Sequence, residues 1–462
     1  MESLPTIAGY QDAIAFLLAL VDHERQTPSL PRQKRIYDLR RVTGFLELLG
    51  NPHQATPAVH IAGTKGKGST AAMIDAIISA SGYRTGFYSS PHLHTFRERI
   101  RLDGVPVEEE RFAEFVGALA PVAARLERET DLGAATLFEF MTAMAFQCFG
   151  GKQVDLQTIE VGLGGRLDAT NVVHPEVCAI TSISMDHMAI LGDTLEEIAG
   201  DKAGIVKREI PVVVSPQRPE ALAVVLNAAE EEEAPVIQVG KDLSWELREA
   251  DSTGQSAVIR GRLNDYDVRI PLLGSHQLEN AVTAVGIAEV LKDSGWQITL
   301  DSIRKGLSRV SWPCRLEVLA RQPLIVSDGA HNVYSMETML NSLRQYFEYN
   351  RLLVVAGFSR DKSVGGMAEA LSPMSDIAIA TRSRHPRSMA PNALAGLLRQ
   401  AGVKCTGESR SVAEALEMAR REAGPDDLIL VTGSLFVAAE AREEVLGIEA
   451  ELYPDLLPPD LR

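Results

Sequence analysis

The stretch Val59-His60-Ile61-Ala62-Gly63-Thr64-Lys65-Gly66-Lys67-Gly68-Ser69-Thr70 constrains this chain more than any other. An apolar run ends in a loop of glycines, lysines and hydroxyls, and Ala71 to Ile78 then reads as a helix. Strand, glycine loop and helix together aim backbone N–H groups and a helix N-terminus at an anion. Gly63, Gly66 and Gly68 let the backbone approach that anion without a Cβ clash. Lys67 is placed to neutralise outer phosphates, and Ser69 or Thr70 to ligand Mg²⁺. The spacing is G-x-x-G-K-G-S, not the strict G-x-x-x-x-G-K-[ST]. With the structural context complete, the stretch predicts binding of a nucleotide's phosphates.

At 462 residues the chain predicts two domains or more. Its net charge of -16 argues against nucleic-acid partners and against an anionic membrane surface. An anionic substrate must therefore meet local basic residues working against the global field. Cys148, Cys178, Cys314 and Cys405 lie far apart and read as free thiols in a reducing compartment, with neither a disulfide framework nor a zinc site. Met1 to Pro5 carries no basic leader and no apolar run nears membrane-spanning length, so a cytoplasmic location is expected.

Periodicity predicts helices over 10–21 and 35–49, then the glycine-loop unit, a strand over 84–90 and a hairpin over 99–107 with an Asp-Gly turn. Helices at 108–126 and 136–149 precede apolar, β-branched strands at 156–161 and 177–183, a helix at 195–206 and a short strand at 211–214. Segments 236–273 read as antiparallel hairpins appended to the parallel sheet, followed by helices at 276–291 and 302–307. Trp312-Pro313 breaks the pattern. Beyond it, strands at 324–327, 352–356, 377–380 and 428–432 alternate with helices. The expected fold class is α/β: a mostly parallel sheet domain flanked by helices over 1–310, then a smaller α/β domain over 311–462.

Four further stretches carry chemistry. Glu139 is a lone carboxylate in an apolar helix, costly to bury unless paired or metal-bound. Glu160 to Asn171, including Arg166, follows a strand at the carboxyl end where α/β proteins place ligands. Asp186-His187 also follows a strand, with Lys202 downstream. Ser327-Asp328-Gly329-Ala330-His331-Asn332 repeats the arrangement in the second domain, with Arg315 near the junction as a phosphate contact.

Taken in order, these motifs resemble the folylpolyglutamate synthase/dihydrofolate synthase group of the Mur ligase superfamily. The match runs from His60 to about Arg442 and includes Ser90-Pro91-His92-Leu93, Phe138-Glu139, Lys202-Ala203-Gly204-Ile205, His276-Gln277 with Asn280, Trp312-Pro313 with Arg315, and Thr432-Gly433-Ser434-Leu435. The resemblance implies an ATP-dependent ligase: a substrate carboxylate attacks the γ-phosphate, and the amine of L-glutamate displaces phosphate from the acyl phosphate. It assigns the ATP phosphates to Lys67 and the loop (Gly63, Thr64, Lys65, Gly66, Gly68, Ser69, Thr70), and Mg²⁺ to Ser69, Glu139 and His187, leaving a monovalent cation open. Lys202 matches a lysine often carbamylated in the family. Asn280, Arg315 and Asp328 match ATP-contacting positions; His331 and Ser434 match the glutamate side; Ser90, Pro91 and His92, with Arg166, match the folate side. Catalytic roles thus fall to Lys67, His187, Lys202, Asp328 and His331. The implied partners are ATP, L-glutamate and a folate or pteroate, acting on a monomer. Two positions depart from the family: Cys314 replaces a usual Gly, and Val333 a usual Pro.

Two other readings compete. A Mur-type ligase acting on a UDP-sugar peptide lacks support from a UDP-binding domain ahead of the loop. A P-loop phosphotransferase has no need of the second-domain Asp328 and His331.

Overall fold

The computed structural model describes residues 7–22, 38–150, 153–186, 188–453 and 457. The first sheet has eight strands: β1 (Ala58–Ala62), β2 (Thr85–Tyr88), β3 (Ile100–Leu102), β4 (Val105–Pro106), β5 (Leu156–Glu160), β6 (Val177–Ile180), β7 (Val212–Val214) and β8 (Val236–Gln238). Their order is β4-β3-β2-β5-β1-β6-β7-β8. The pairs from β2 to β8 are parallel, and the β2–β3 and β3–β4 pairs are antiparallel. The turn between β3 and β4 places Asp103 at φ 51° and Gly104 at φ 80°, the left-handed pair that a two-residue hairpin of matching twist requires.

Every residue of β1 is buried, because helices cover both faces. Val59 and Ile61 join a core with the helices Lys67–Ala80, Ser275–Asp293 and Leu300–Arg309. On the other face Ala58, Tyr88 and Ile159 meet the helices Glu109–Glu129 and Leu137–Phe149. Alternation along each strand splits its side chains between these two cores.

β9 (Ser244–Asp251), β10 (Gly254–Arg260) and β11 (Asp265–Ile270) form a separate antiparallel sheet, so the hairpins are not appended to the parallel one; only β8 joins that. Strict alternation in β11 explains this. Tyr266, Val268 and Ile270 face the core while their neighbours face water, a pattern that lays a sheet on a helical layer.

The third sheet is β12 (Glu317–Arg321), β13 (Leu324–Ser327), β14 (Leu352–Ala356), β15 (Ile377–Ala380), β16 (Cys405–Glu408) and β17 (Leu428–Thr432). Its order is β12-β13-β17-β14-β15-β16, parallel except for β12. The two strands with no sequence signal, β12 and β16, are the two edges; half-exposed, they lack the apolar run that marks a buried strand. The four cysteines are free thiols, three of them buried. Among the described residues no helix is long and apolar enough to cross a membrane.

Candidate functional site

Both large sheets turn their carboxyl ends toward one cleft of about 620 Å³. From the first come the loops after β1, β5 and β6; from the third come those after β13, β14, β15 and β17. Ligands of open α/β sheets bind at this end.

The glycine loop is shaped by its neighbours. Gly66 caps the Lys67–Ala80 helix at φ 87°, where an added Cβ would lie 2.3 Å from Asn280 Oδ1. At Gly63 (φ 151°) it would meet Thr181 Oγ1 at 1.9 Å, and at Gly68 the Trp312 ring at 2.6 Å. All three glycines are therefore required by packing as well as by the approach of an anion. Thr64, Lys65, Lys67 and Ser69 line the cleft. Thr70 does not: its side chain is fully buried, its Oγ1 has no hydrogen-bond partner and its N–H donates to Gly66 O at 2.9 Å. The helical turn faces Ser69 to the cleft and Thr70 into the core.

Lysines gather here despite the acidic chain. Lys65 donates to Asp186 at 3.0 Å, and Lys362, from the loop after β14, reaches the same carboxylate at 3.3 Å. Asn332 Nδ2 joins them at 3.1 Å, so Asp186 is held from both halves of the cleft. Lys202 is buried and donates to Gly63 O at 2.9 Å. Burial, with Lys67 nearby, pushes its pKa down to about 7. Glu160, ending β5, is pushed up to about 7 by burial, against the pull of Lys67, Arg315 and a backbone N–H from Ser90.

On the far side, Asp328 accepts from Leu316 N at 2.9 Å and Ala330 N at 2.8 Å. It thereby ties the Cys314-Arg315-Leu316 turn to the loop after β13 and presents Arg315 to the cleft. Cys314 sits at φ 59°, a conformation glycine adopts freely, so the glycine that the resemblance leads one to expect here would hold the turn with less strain. Val333 begins the helix Val333–Tyr346 behind the Asn332 cap, the position that suits proline. His331 donates from Nδ1 to Gly329 O at 2.9 Å, leaving Nε2 as its acceptor; burial and the charges of Lys65 and Lys362 lower its pKa to about 3. Ser434 caps the helix Leu435–Leu446 and lines the cleft with Ser90, Pro91, His92 and Asn280.

Three assignments change. Glu139 lies at the cleft wall, but its carboxylate takes the Arg41 guanidinium at 2.7 Å and the Thr136 N–H at 2.8 Å. It is a helix-capping, ion-paired group, with its oxygens already engaged, which makes it a poor donor for a metal. Arg166 is exposed, donates to Gly200 O at 3.1 Å and does not line the cleft; its backbone N–H is held by Asp201 O at 2.8 Å and Gly204 packs closely on its Cα and Cβ. Thr70, as above, faces the core. His187 lies outside the described residues. Two groups lack a role in the sequence reading. Glu160 opens the stretch singled out at a strand's carboxyl end, and it is the carboxylate that adjoins Lys67. Lys362 follows β14 in the same way. Among the described residues no three His, Cys, Asp or Glu side chains cluster as a metal cage. A hard cation here would be held by Ser69 and Glu160 together with ligand oxygens, a donor set that fits Mg²⁺.

Comparison with known proteins agrees with this geometry. Residues 61–288 match the Mur ligase middle domain and residues 314–435 the Mur ligase glutamate ligase domain. The folylpolyglutamate synthase of Lacticaseibacillus casei is 38% identical over 430 residues, covering 91% of this chain and 97% of that protein. The dihydrofolate synthase/folylpolyglutamate synthase of Bacillus subtilis (strain 168) is 36% identical, covering 88% and 94%. The solved structure of Mycobacterium tuberculosis folylpolyglutamate synthase complexed with ADP superposes with a TM-score of 0.85 at 32% identity, covering 96% of this chain and 99% of that one. With its glycine loop, its two converging sheets and these full-length matches, the chain belongs to the Mur ligase family, in its folylpolyglutamate synthase/dihydrofolate synthase group.

Proposed function

We propose that the chain is an ATP-dependent ligase that joins L-glutamate to the carboxylate of dihydropteroate, of reduced folates, or of both. The observation that carries this reading is the convergence of both domains' strand ends on one cleft, with Lys67 and Lys65 on one side and Arg315, His331 and Lys362 on the other. A carboxylate oxygen of the acceptor attacks the γ-phosphorus and ADP leaves. The glutamate amine then attacks the acyl carbon, phosphate leaves and a proton is released. The lysines and Arg315 stabilise charge on the transferring group, and the two halves of the cleft position the reactants. Ser69 and Glu160 would hold Mg²⁺ here, and the cation would supply further charge neutralisation at the phosphates. Neutral His331 offers Nε2 as a hydrogen-bond acceptor for the incoming amine. One chain contributes every group named here, so a monomer suffices, and free thiols suit a reducing compartment.

Release of ADP should require ATP, L-glutamate and a pteroate or folate together, and comparing dihydropteroate with tetrahydrofolate identifies the acceptor. ADP formation without an acceptor, or only with a UDP-sugar peptide, refutes the reading.

Lys202 gives a prediction in pH. Its folded pKa near 7 lies below the ordinary lysine value, so the unfolded chain binds the extra proton between about 7 and 10.5. Its contribution to stability therefore rises with pH across that window and is at its least below it. Glu160 acts oppositely, its contribution falling as pH climbs from 4.5 to about 7. In CO2-free buffer, Lys202→Met should flatten the alkaline rise in denaturation midpoint. A neutral amine also adds CO2, so bicarbonate at mildly alkaline pH should stabilise the wild type and leave the variant unmoved. An identical response from both would remove the carbamate assignment.

A further inference from the structure

The helix Leu435–Leu446 ends at Gly447, which takes φ 68°, and Ile448 N–H bonds back to Glu443 O at 3.1 Å. The chain does not stop against its own domain. It crosses to the first domain, where Glu451 Oε2 accepts Phe96 N–H at 3.2 Å and the Tyr453 hydroxyl at 2.5 Å. The Tyr453 ring meets Phe96 edge-on with centroids 5.5 Å apart. Phe96 in turn packs on His92 at 4.4 Å, and Arg99 donates to His92 Nδ1 at 3.1 Å. A continuous stack thus runs from this tail to the Ser90–His92 turn. Glu451, Leu452 and Tyr453 line the cleft, as do Leu39, Val42 and Phe138, which share a hydrophobic cluster with Tyr453, and Leu452 is 56% exposed. A single exposed leucine is ordinary on a protein surface, but this one lies on the cleft lining, between two residues that are themselves anchored, so it presents an apolar contact to the cleft's occupant.

We propose that residues 448–453 form a wall of the acceptor subsite. Glu451 and Tyr453 fix the His92–Phe96 turn, and Leu452 contacts the flat aromatic body of the acceptor. The identity of that acceptor rests on the functional reading above; the placement of the wall rests on these contacts. A segment donated by the glutamate-ligase half thereby contributes to acceptor choice in the other half.

The test compares Leu452→Asp, Tyr453→Ala and Tyr453→Phe in the full chain, measuring KM for dihydropteroate and tetrahydrofolate, KM for ATP and L-glutamate, and kcat. Leu452→Asp leaves the Glu451 and Tyr453 contacts in place and Tyr453→Phe keeps the ring on Phe96, so both retain the fold if Tyr453→Ala does not. Leu452→Asp and Tyr453→Ala should raise the acceptor KM about tenfold, with ATP and glutamate within about twofold and Tyr453→Phe close to wild type. An unchanged acceptor KM in Leu452→Asp, or an equal rise for ATP, overturns the assignment while the functional reading stands. A wild-type chain inert toward both acceptors overturns the functional reading, and the wall's assignment to an acceptor with it.

Discussion

Replacing Lys67 with alanine should lower turnover by about a thousandfold and leave the fold intact. Losing one preorganised donor to developing charge costs about 10²–10³ in kcat, and Lys67 also sits at the helix terminus where the phosphates are read. Its charge reaches Glu160, Asp168 and Lys202 alike, which places it at the electrostatic centre of the cleft. Without it Glu160 loses a partner that lowers its pKa and Lys202 loses a neighbour that depresses its own, so both titrations shift upward. Folding is spared because Lys67 makes no side-chain ion pair among the described residues, and the glycines around it keep their packing partners. Single-turnover assays with circular dichroism as the folding control check this. A folded variant with ordinary turnover would falsify the phosphate-loop assignment.

Asp328→Ala should damage both stability and ligation. The carboxylate satisfies two buried N–H groups, Leu316 and Ala330, and stranding a buried N–H costs about 1–3 kcal/mol each. The turn it holds is strained, with Cys314 at φ 59° and Leu316 at φ 45°, so its loss lets the turn relax and carries Arg315 away from the cleft. We expect kcat to fall about a hundredfold, since positioning errors of this kind carry penalties of that order. Asp328→Asn keeps one acceptor oxygen and should fall between wild type and alanine in thermal midpoint and in kcat. Normal kinetics in the alanine variant would remove the two-sided cleft, because Asp328 reaches the site only from the second domain.

The glycine loop was legible because its chemistry is local: strand, glycines, lysine and helix are consecutive, and the backbone they build binds an anion wherever the fold carries it. The buried parallel strands were legible for a similar reason, since apolar β-branched runs leave few alternatives. The three-stranded sheet was misjudged in its attachment, because alternation in β11 says that one face is buried but not against what. The edge strands β12 and β16 lacked a signal because half their surface faces water.

The acidic residues show the division most clearly. In one dimension Glu139 reads as a costly buried carboxylate and Glu160 only as the start of a strand-end loop. Only the folded chain shows that Arg41 and Thr136 take Glu139, while Glu160 ends its strand beside Lys67. Ser69 and Thr70 are adjacent, and helix phase alone separates one from the other. Likewise Arg166 lies outside the cleft and Lys362 lines it, through the close packing of Gly204 and the Asp201 carbonyl on Arg166 in one case and the position of β14 in the other. Sequence by itself determined the phosphate loop, the α/β class and the family, because each is written in contiguous residues or their order. Tertiary structure decided which charges face the cleft, since a side chain's partner and its burial depend on elements hundreds of residues away.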